Sequence, residues 1–326
     1  MPYLSSSPHL HSGSSTERIM LDVLIALAPA SLVAVVLFGW PALLVLVLAV
    51  GGCLATEAVC QLAMKRPLTL RDNSAAITGV LLALNLPPSL PWWMVLLGAV
   101  IAILIGKQIY GGLGYNPFNP ALVARVVLLI SFPVQMTRWT APEPFKFMVD
   151  GVSAATPLGE MKSSVMLSGK LPEALQAGYS DYLFGAMSGC IGEVSAVALL
   201  IGAAYLFWRK VISWHIPVTF LGTAVLMSGV FWLVDGSRYP SPVFHLLTGG
   251  MLLGAFFMAT DMVTSPITPR GMIVFGVGCG VLTILIRLFG GYPEGVSFAI
   301  LLMNAATPLI DRFTRPKVFG YRGETA

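Results

Sequence analysis

The sequence has 326 residues, of which 56% are hydrophobic and only 10% are charged, and its formal net charge at pH 7 is +4. Soluble domains carry about 25% charged residues, so this composition excludes an ordinary soluble protein and predicts an all-α polytopic membrane protein. The small positive charge does not indicate nucleic-acid binding, because Lys and Arg lie beside apolar runs, where they orient membrane segments.

The chain begins with a polar, Ser-rich segment at residues 1–18, which predicts a cytoplasmic tail leading into a retained helix rather than a cleaved signal peptide. Ten apolar runs follow, and several are short or contain Gly and Pro, as broken membrane helices do. They cover residues 19–39, 41–64, 74–86, 92–110, 118–134, 182–208, 214–234, 243–260, 271–289 and 295–312. If the N-terminus lies inside, ten crossings place most basic residues and the C-terminal tail (313–326) in the cytoplasm.

A weak internal repeat relates the predicted transmembrane halves 19–134 and 182–312. Ile77-Thr-Gly-Val-Leu-Leu-Ala-Leu84 is similar to Leu247-Thr-Gly-Gly-Met-Leu-Leu-Gly254, and a Pro-rich turn follows each stretch. Five spans in each half reverse the direction of the second half, so the pattern predicts two inverted five-helix repeats with a site between them. The alternative is chance similarity between helices rich in Gly and Leu.

A hydrophilic loop at residues 135–181 separates the halves, and this topology places it in the periplasm. It contains the stretch Asp150-Gly-Val-Ser-Ala-Ala-Thr156-Pro-Leu158. Small neighbours should leave the Thr156 hydroxyl uncrowded, and Pro157 favours an extended conformation of the residue before it, so the hydroxyl is expected to be open to modification. The alternative is an ordinary loop turn.

Polar residues at membrane depth are the other candidates for a functional role. Glu193 and Asp261 lie in Gly-rich and Pro-ended breaks, where they would bind a cation or line a water path, unless they pair with a buried Arg or with backbone donors. Asn116 and Asn119 are each followed by proline at a helix start, so their amides would either cap that helix or hydrogen-bond a cofactor ring.

Other chemistry is not indicated. The four cysteines lack C-x-x-C spacing and lie in apolar runs, which favours small core residues over metal ligands or a disulfide. The histidines suggest no metal site. There is no Gly-rich dinucleotide fingerprint and no iron–sulfur motif, so the chain itself is not expected to bind NAD or a cluster.

The loop motif Asp-x-x-Ser-Ala-Ala-Thr resembles the flavinylation signature of the family that holds the B subunit of the sodium-pumping NADH:quinone oxidoreductase and the D subunit of the Rnf ion-translocating oxidoreductase. The resemblance implies that Thr156 carries FMN through a phosphoester bond and that no other catalytic residue is needed beyond the flavin. The implied cofactor site also includes Asp150, Ser153, Ala155, Pro157 and Leu158.

Three further stretches are similar to blocks of the same family, in the same order. They are Gly114-Tyr-Asn-Pro-Phe-Asn-Pro-Ala121, Gly189-Cys-Ile-Gly-Glu-Val-Ser195 and Ala259-Thr-Asp-Met-Val-Thr-Ser-Pro266. The chain departs from the family at Ala154, where Gly is common, and at Met262, where Pro is expected. Neither departure removes the threonine hydroxyl. The short N-terminal tail favours the Rnf branch of the family.

The resemblance implies an inverted-repeat bundle like that of urea and ammonium channels, in a complex of the bacterial inner membrane. That complex would couple ferredoxin and NAD redox chemistry to Na⁺ or H⁺ translocation. Its other subunits, a flavin transferase and membrane lipid are the implied partners. Riboflavin is a candidate second flavin, and Asn116, Asn119, Glu193 and Asp261 are the candidate residues for it or for an ion path. The alternatives are a solute channel or transporter without flavin and a purely structural scaffold.

Overall fold

The computed structural model describes residues 15–142, 154–172, 175, 179–185, 187–193 and 195–316. Within these ranges every regular element is a helix. The helices pack around a single large core of apolar side chains drawn from both halves of the chain. This agrees with the all-α membrane class predicted from composition.

In the part of the chain that the structure describes, five helices are long and apolar enough to cross a bilayer, so the chain is a multi-pass membrane protein. They are α1 (Thr16–Phe38), α2 (Trp40–Ala63), α10 (His215–Val234), α13 (Pro269–Phe289) and α14 (Val296–Thr314). Four shorter apolar helices are α3 (Ser74–Leu84), α4 (Trp92–Val100, continuing as a π-helix at Ile101–Gln108), α5 (Pro120–Ser131) and α9 (Ala196–Trp208).

Short elements connect these helices. They are a 3₁₀ turn (Leu70–Asp72), α6 (Pro133–Met136), α7 (Pro157–Ser168), α8 (Tyr179–Phe184), α11 (Pro242–Leu247) and α12 (Met251–Leu253, continuing as a π-helix at Gly254–Met258). Local sequence explains many of the starts, because a Ser, Thr or Asn side chain accepts a backbone N–H and a proline often follows at the first helical position.

The predicted run 182–208 is not one continuous helix, because it is divided at the Gly-rich break predicted around Glu193. The chain leaves the helical conformation after α8, and α9 begins only after a Gly-rich break. In the break, the backbone N–H of Gly192 donates to the carbonyl of Leu84 at 2.8 Å, and that of Ile191 donates to Leu86 at 3.1 Å. A helix end inside a membrane bundle needs such donors, so the break completes the C-terminus of α3.

The predicted span 243–260 is also interrupted, at Gly249 and Gly250. Gly249 has a φ of 65°, and a Cβ at this position would lie 2.7 Å from Leu158 Cδ1 and 2.8 Å from Arg287 Nη2. Only glycine combines this left-handed backbone with so close an approach. The interruption therefore separates α11 from α12 and brings a loop helix and a buried arginine against the same backbone.

Helix α1 packs against α9, so the two halves of the chain share one interface. The closest approach is at Gly202, where a Cβ would lie 2.0 Å from the carbonyl oxygen of Ala26. Asp22 reinforces this interface at its polar end, because its carboxylate accepts from Arg209 at 3.1 Å and from the Tyr205 hydroxyl at 2.9 Å. Close backbone packing and an ion pair thus join the two halves.

Replacing Gly202 with alanine is expected to destabilise the protein by about 1–3 kcal/mol, because the added methyl group must displace the backbone of α1. The measurement is thermal unfolding of the purified protein in detergent. Gly222→Ala is the matched control, since a Cβ at Gly222 meets no atom within 4 Å. Equal melting temperatures for the two variants would contradict the packing described for α1 and α9.

Candidate functional site

Thr156 is the residue immediately before α7, and its hydroxyl forms the N-cap of that helix. Its Oγ1 accepts the backbone N–H of Gly159 at 3.0 Å, and the residue is only 5% exposed. The expectation that this hydroxyl is uncrowded and open is therefore wrong for this structure. The cap and the apolar underside of α7 hold it in place, since Leu158 and Met161 pack with Tyr182 and Phe244.

The other residues of the loop motif are placed only in part. Ala155 is exposed, Pro157 is the first residue of α7, and Leu158 is buried. Asp150 and Ser153 lie outside the described residues. In the described part of the motif, Thr156 therefore lies between the exposed Ala155 and the buried Leu158.

Helix α7 rests on two segments of the C-terminal half. Leu158 lies against Gly249, and the Lys162 amino group donates to the carbonyls of Gly290 and Tyr292, the latter at 3.1 Å. Burial lowers the pKa of Lys162. The amino group is thus bound to the loop that follows α13 in this structure.

A cavity with about 100 Å³ of room for water-sized molecules, open on one side to the surroundings, lies between the two halves, at the ends of the helices that carry Asp22 and Arg209. Most of its wall is apolar, and it includes two aromatic side chains, Phe256 and Phe257. An apolar wall with a few polar groups is typical of small-molecule sites. The polar side chains on the wall are Ser74, Thr78, Lys107, Asn116, Asn119, Thr260 and Asp261.

Three of the four residues predicted for a second flavin or an ion path meet in this cavity. Asn119 caps α5, because its Oδ1 accepts from Ala121 N at 3.1 Å, and it also faces the cavity. Asn116 Nδ2 donates to the carbonyl of Phe118 at 3.1 Å. Asp261 accepts from the Thr264 hydroxyl at 3.2 Å. Asn119 therefore caps α5, one of the two predicted roles, and also lies on the cavity wall.

A buried ion pair supports the same cavity. Lys107 Nζ lies 2.7 and 2.9 Å from the two carboxylate oxygens of Glu57 and donates to Ser74 Oγ at 2.6 Å. Gln61 and Gln108 also donate to Glu57, at 3.2 and 3.0 Å. This network joins α2, α3 and the π-helical end of α4, and it fixes the charged wall of the cavity.

Glu193 lies elsewhere, in a second buried cluster. Arg125 Nη2 lies 3.5 Å from Glu193 Oε1, bonds the carboxylate of Glu294 and lies 3.5 Å from Cys190 Sγ, while its Nη1 bonds Ser297. The oxygen and sulfur atoms of Cys190, Glu193 and Glu294 lie within 4.8 Å of one another. The cluster joins α5 to two segments of the C-terminal half, the break before α9 and the start of α14.

Sequence reasoning missed several of these residues. Glu294 and Ser297 lie at the start of α14. Acidic and hydroxyl residues are common at helix N-termini, so this position does not by itself indicate a functional residue. Lys107 ends an apolar run, where a lysine indicates only the orientation of the chain. All four cysteines are buried, as expected of small core residues.

Comparison with known proteins decides the family. The sequence model described as the NQR2, RnfD, RnfE family matches residues 3–320. The chain belongs to the NQR2, RnfD, RnfE family. Membership confirms the resemblance drawn from the loop motif and from the three blocks around the Asn–Pro, Gly–Glu and Thr–Asp stretches.

Relatives within the NQR2, RnfD, RnfE family align over nearly the whole chain. The chain is 44% identical to the D subunit of the ion-translocating oxidoreductase complex of Citrobacter koseri, over 98% of this chain and 99% of the relative. It is 48% identical to the D subunit of the Na⁺-translocating ferredoxin:NAD⁺ oxidoreductase complex of Acetobacterium woodii, over 97% of this chain and 95% of the relative. The similarity to Rnf-type relatives therefore extends over the whole fold.

Proposed function

We propose that this protein is the flavin-carrying membrane subunit of an ion-translocating oxidoreductase complex, with FMN joined to Thr156 by a phosphoester bond. Family membership and the names of the relatives support its place in such a complex. The observation that carries the flavin proposal is the motif that ends at Thr156, placed at the start of a helix that packs outside the apolar bundle.

The covalent link has a physical rationale at this position. The described part of the loop offers α7 and a small apolar cluster rather than a deep cavity, so a noncovalent flavin would exchange with its surroundings. A phosphoester leaves the redox-active ring chemically intact, and the ring then supplies the electron chemistry. Because the hydroxyl is buried, a flavin transferase must act on a local conformation that exposes it.

The cavity between the halves is the proposed site of a second, noncovalent flavin such as riboflavin. Its apolar wall with Phe256 and Phe257 and its amide side chains suit a planar heterocycle that needs a few hydrogen bonds. Asn116 and Asn119 would bind the polar edge of the ring. Lys107 and Asp261 are the ionisable side chains on the cavity wall.

Filling this cavity is expected to remove the noncovalent flavin. Ile77 lines the cavity from α3, so Ile77→Trp places a large ring where the flavin would lie. Acid precipitation of the purified complex should then release an equimolar amount of flavin from the parent protein and almost none from the variant. Val230→Trp, at a site that is 60% exposed, is the matched control and should release the parental amount. Equal release from Ile77→Trp would place the second flavin elsewhere.

The bundle is proposed to contain ten spans in two inverted repeats, with both termini in the cytoplasm, the Thr156 loop in the periplasm and the complex in the bacterial inner membrane. A matching feature supports this arrangement: the third span of each half contains a short helix and is followed by a Pro-rich turn. Helices α1 and α9, and likewise α5 and α14, are the proposed symmetry mates and contact each other.

The direct test is the mass of the peptide that contains Thr156, from protein produced together with a flavin transferase. A mass increased by FMN, with in-gel fluorescence that survives denaturation, supports the carrier. An unmodified peptide would favour the channel alternative, for which the cavity between the halves is the supporting observation. Solute flux through vesicles that contain the unmodified protein would then be the next measurement.

A further inference from the structure

The cluster around Arg125 has an uneven distribution of partners. Glu193 and Glu294 are 4% and 8% exposed, and both carboxylates face the same guanidinium. Arg125 binds Glu294 closely, whereas its contact with Glu193 is 3.5 Å. The second arginine nearby, Arg287, donates to the carbonyls of His245 and Thr248 rather than to a carboxylate. Glu193 therefore has the weaker ionic partner.

Two carboxylates this close repel each other in a buried environment, and a proton on one of them removes the repulsion. A proton fits between these carboxylates better than a metal ion does. The Arg125 guanidinium already lies among the Cys190, Glu193 and Glu294 atoms that would bind a metal ion. The groups that face the pair are Arg125 on α5, Cys190 in the break before α9 and Arg287 on α13, and His245 on α11 contacts Arg287 through its carbonyl.

Buried polar atoms without a hydrogen-bond partner among the described residues adjoin this cluster. They are Arg125 Nε, Arg287 Nε, Thr283 Oγ1 and both ring nitrogens of His245. Arg287 lies against Gly249, and the next residue, Gly250, lies against Glu193 Oε1. Buried polar groups of this kind ordinarily bind water, which can carry a proton to a carboxylate.

We propose that Glu193 and Glu294 form a carboxyl pair that binds one exchangeable proton at the junction of the two halves, and that α7 links this pair to Thr156. The chemical step is protonation alone: a carboxylate oxygen gains a proton delivered by water, and no electron moves. The link consists of Leu158, which contacts Gly249, and Lys162, which bonds the Gly290–Tyr292 segment just before Glu294. The link to Thr156 rests on the flavin proposed above, whereas proton binding does not.

The test is infrared difference spectroscopy of the purified complex, first between high and low pH. Wild-type protein should show the carbonyl stretch of a protonated carboxyl group that shifts in D₂O, and Glu193→Gln and Glu294→Gln should each remove or shift it. Glu57→Gln should retain the band, because that carboxylate is paired with Lys107. A band unchanged in both cluster variants would overturn the proposal. If Glu193→Gln does not insert, Glu193→Asp keeps a carboxyl group and should move the band.

The reduced-minus-oxidised spectrum tests the link to the flavin. The same band should appear when the flavin on Thr156 is reduced, and Leu158→Ala should diminish it without removing the band from the pH-difference spectrum. A pH-dependent band that does not respond to reduction, in protein whose Thr156 peptide has the mass of the FMN adduct, would overturn the link. A protein without the adduct that still shows the pH-dependent band would instead count against the flavin proposal alone.

Discussion

Thr156→Ala and Thr156→Asn are both expected to abolish the covalent flavin and to reduce electron transfer through the complex to background. Alanine also removes the N-cap of α7 and should cost about 1 kcal/mol of stability. Asparagine keeps a capping oxygen but has no hydroxyl for the phosphoester, so it separates the two roles of the side chain. Thr156→Ser keeps both the cap and the hydroxyl and should retain the adduct.

Peptide mass and fluorescence in denaturing gels measure the adduct, and thermal unfolding measures the cap. Ser163→Ala is a suitable control, because it removes another hydroxyl from the same helix, one that donates to the Glu160 carbonyl. Retention of flavin in Thr156→Asn would show that another residue of the motif carries it. Loss of flavin in Ser163→Ala would show that the helix itself, rather than one hydroxyl, determines attachment.

Lys107→Met is expected to destabilise the protein by about 3 kcal/mol, at the lower end of the effect of breaking a buried ion pair. Glu57 is 1% exposed, so the substitution leaves a charge in the bundle without its cationic partner. The effect should stay at that lower end because Gln61 and Gln108 continue to donate to the carboxylate. Unfolding in detergent, followed by intrinsic fluorescence, measures the loss.

The double variant Glu57→Gln/Lys107→Met is the decisive comparison. Removing both charges leaves no uncompensated ion, so most of the lost stability should return. The noncovalent flavin provides a second readout, since Lys107 lies on the cavity wall. A double variant that is less stable than Lys107→Met would mean that Glu57 is held mainly by its amide partners and that the ion pair contributes little.

Much of the fold follows from local sequence. Apolar runs locate the five long helices, and Asn or Thr before proline marks the starts of α5, α7 and α13, because side-chain caps act within three residues. The polar loop and its threonine motif are equally local. These features need no knowledge of the rest of the chain.

The features that sequence reasoning missed depend on distant partners. The Gly-rich break at Glu193 is predicted, but its hydrogen-bond partners Leu84 and Leu86 are not. The burial of Thr156 is set by the docking of Leu158 near Phe244 and Gly249. Arg125 finds Glu294 169 positions away. No periodicity or spacing encodes such pairings, so the two polar clusters appear only when the helices are assembled.

The completion of α3 by the break before α9 has a consequence for biosynthesis. The carbonyls of Leu84 and Leu86 accept from the N–H groups of Gly192 and Ile191. The ribosome synthesises these two donor residues long after it has synthesised α3. Until then the nascent chain exposes an unfinished helix end to the translocon or to a membrane chaperone. Premature termination between these points should therefore yield fragments that quality-control proteases clear rapidly.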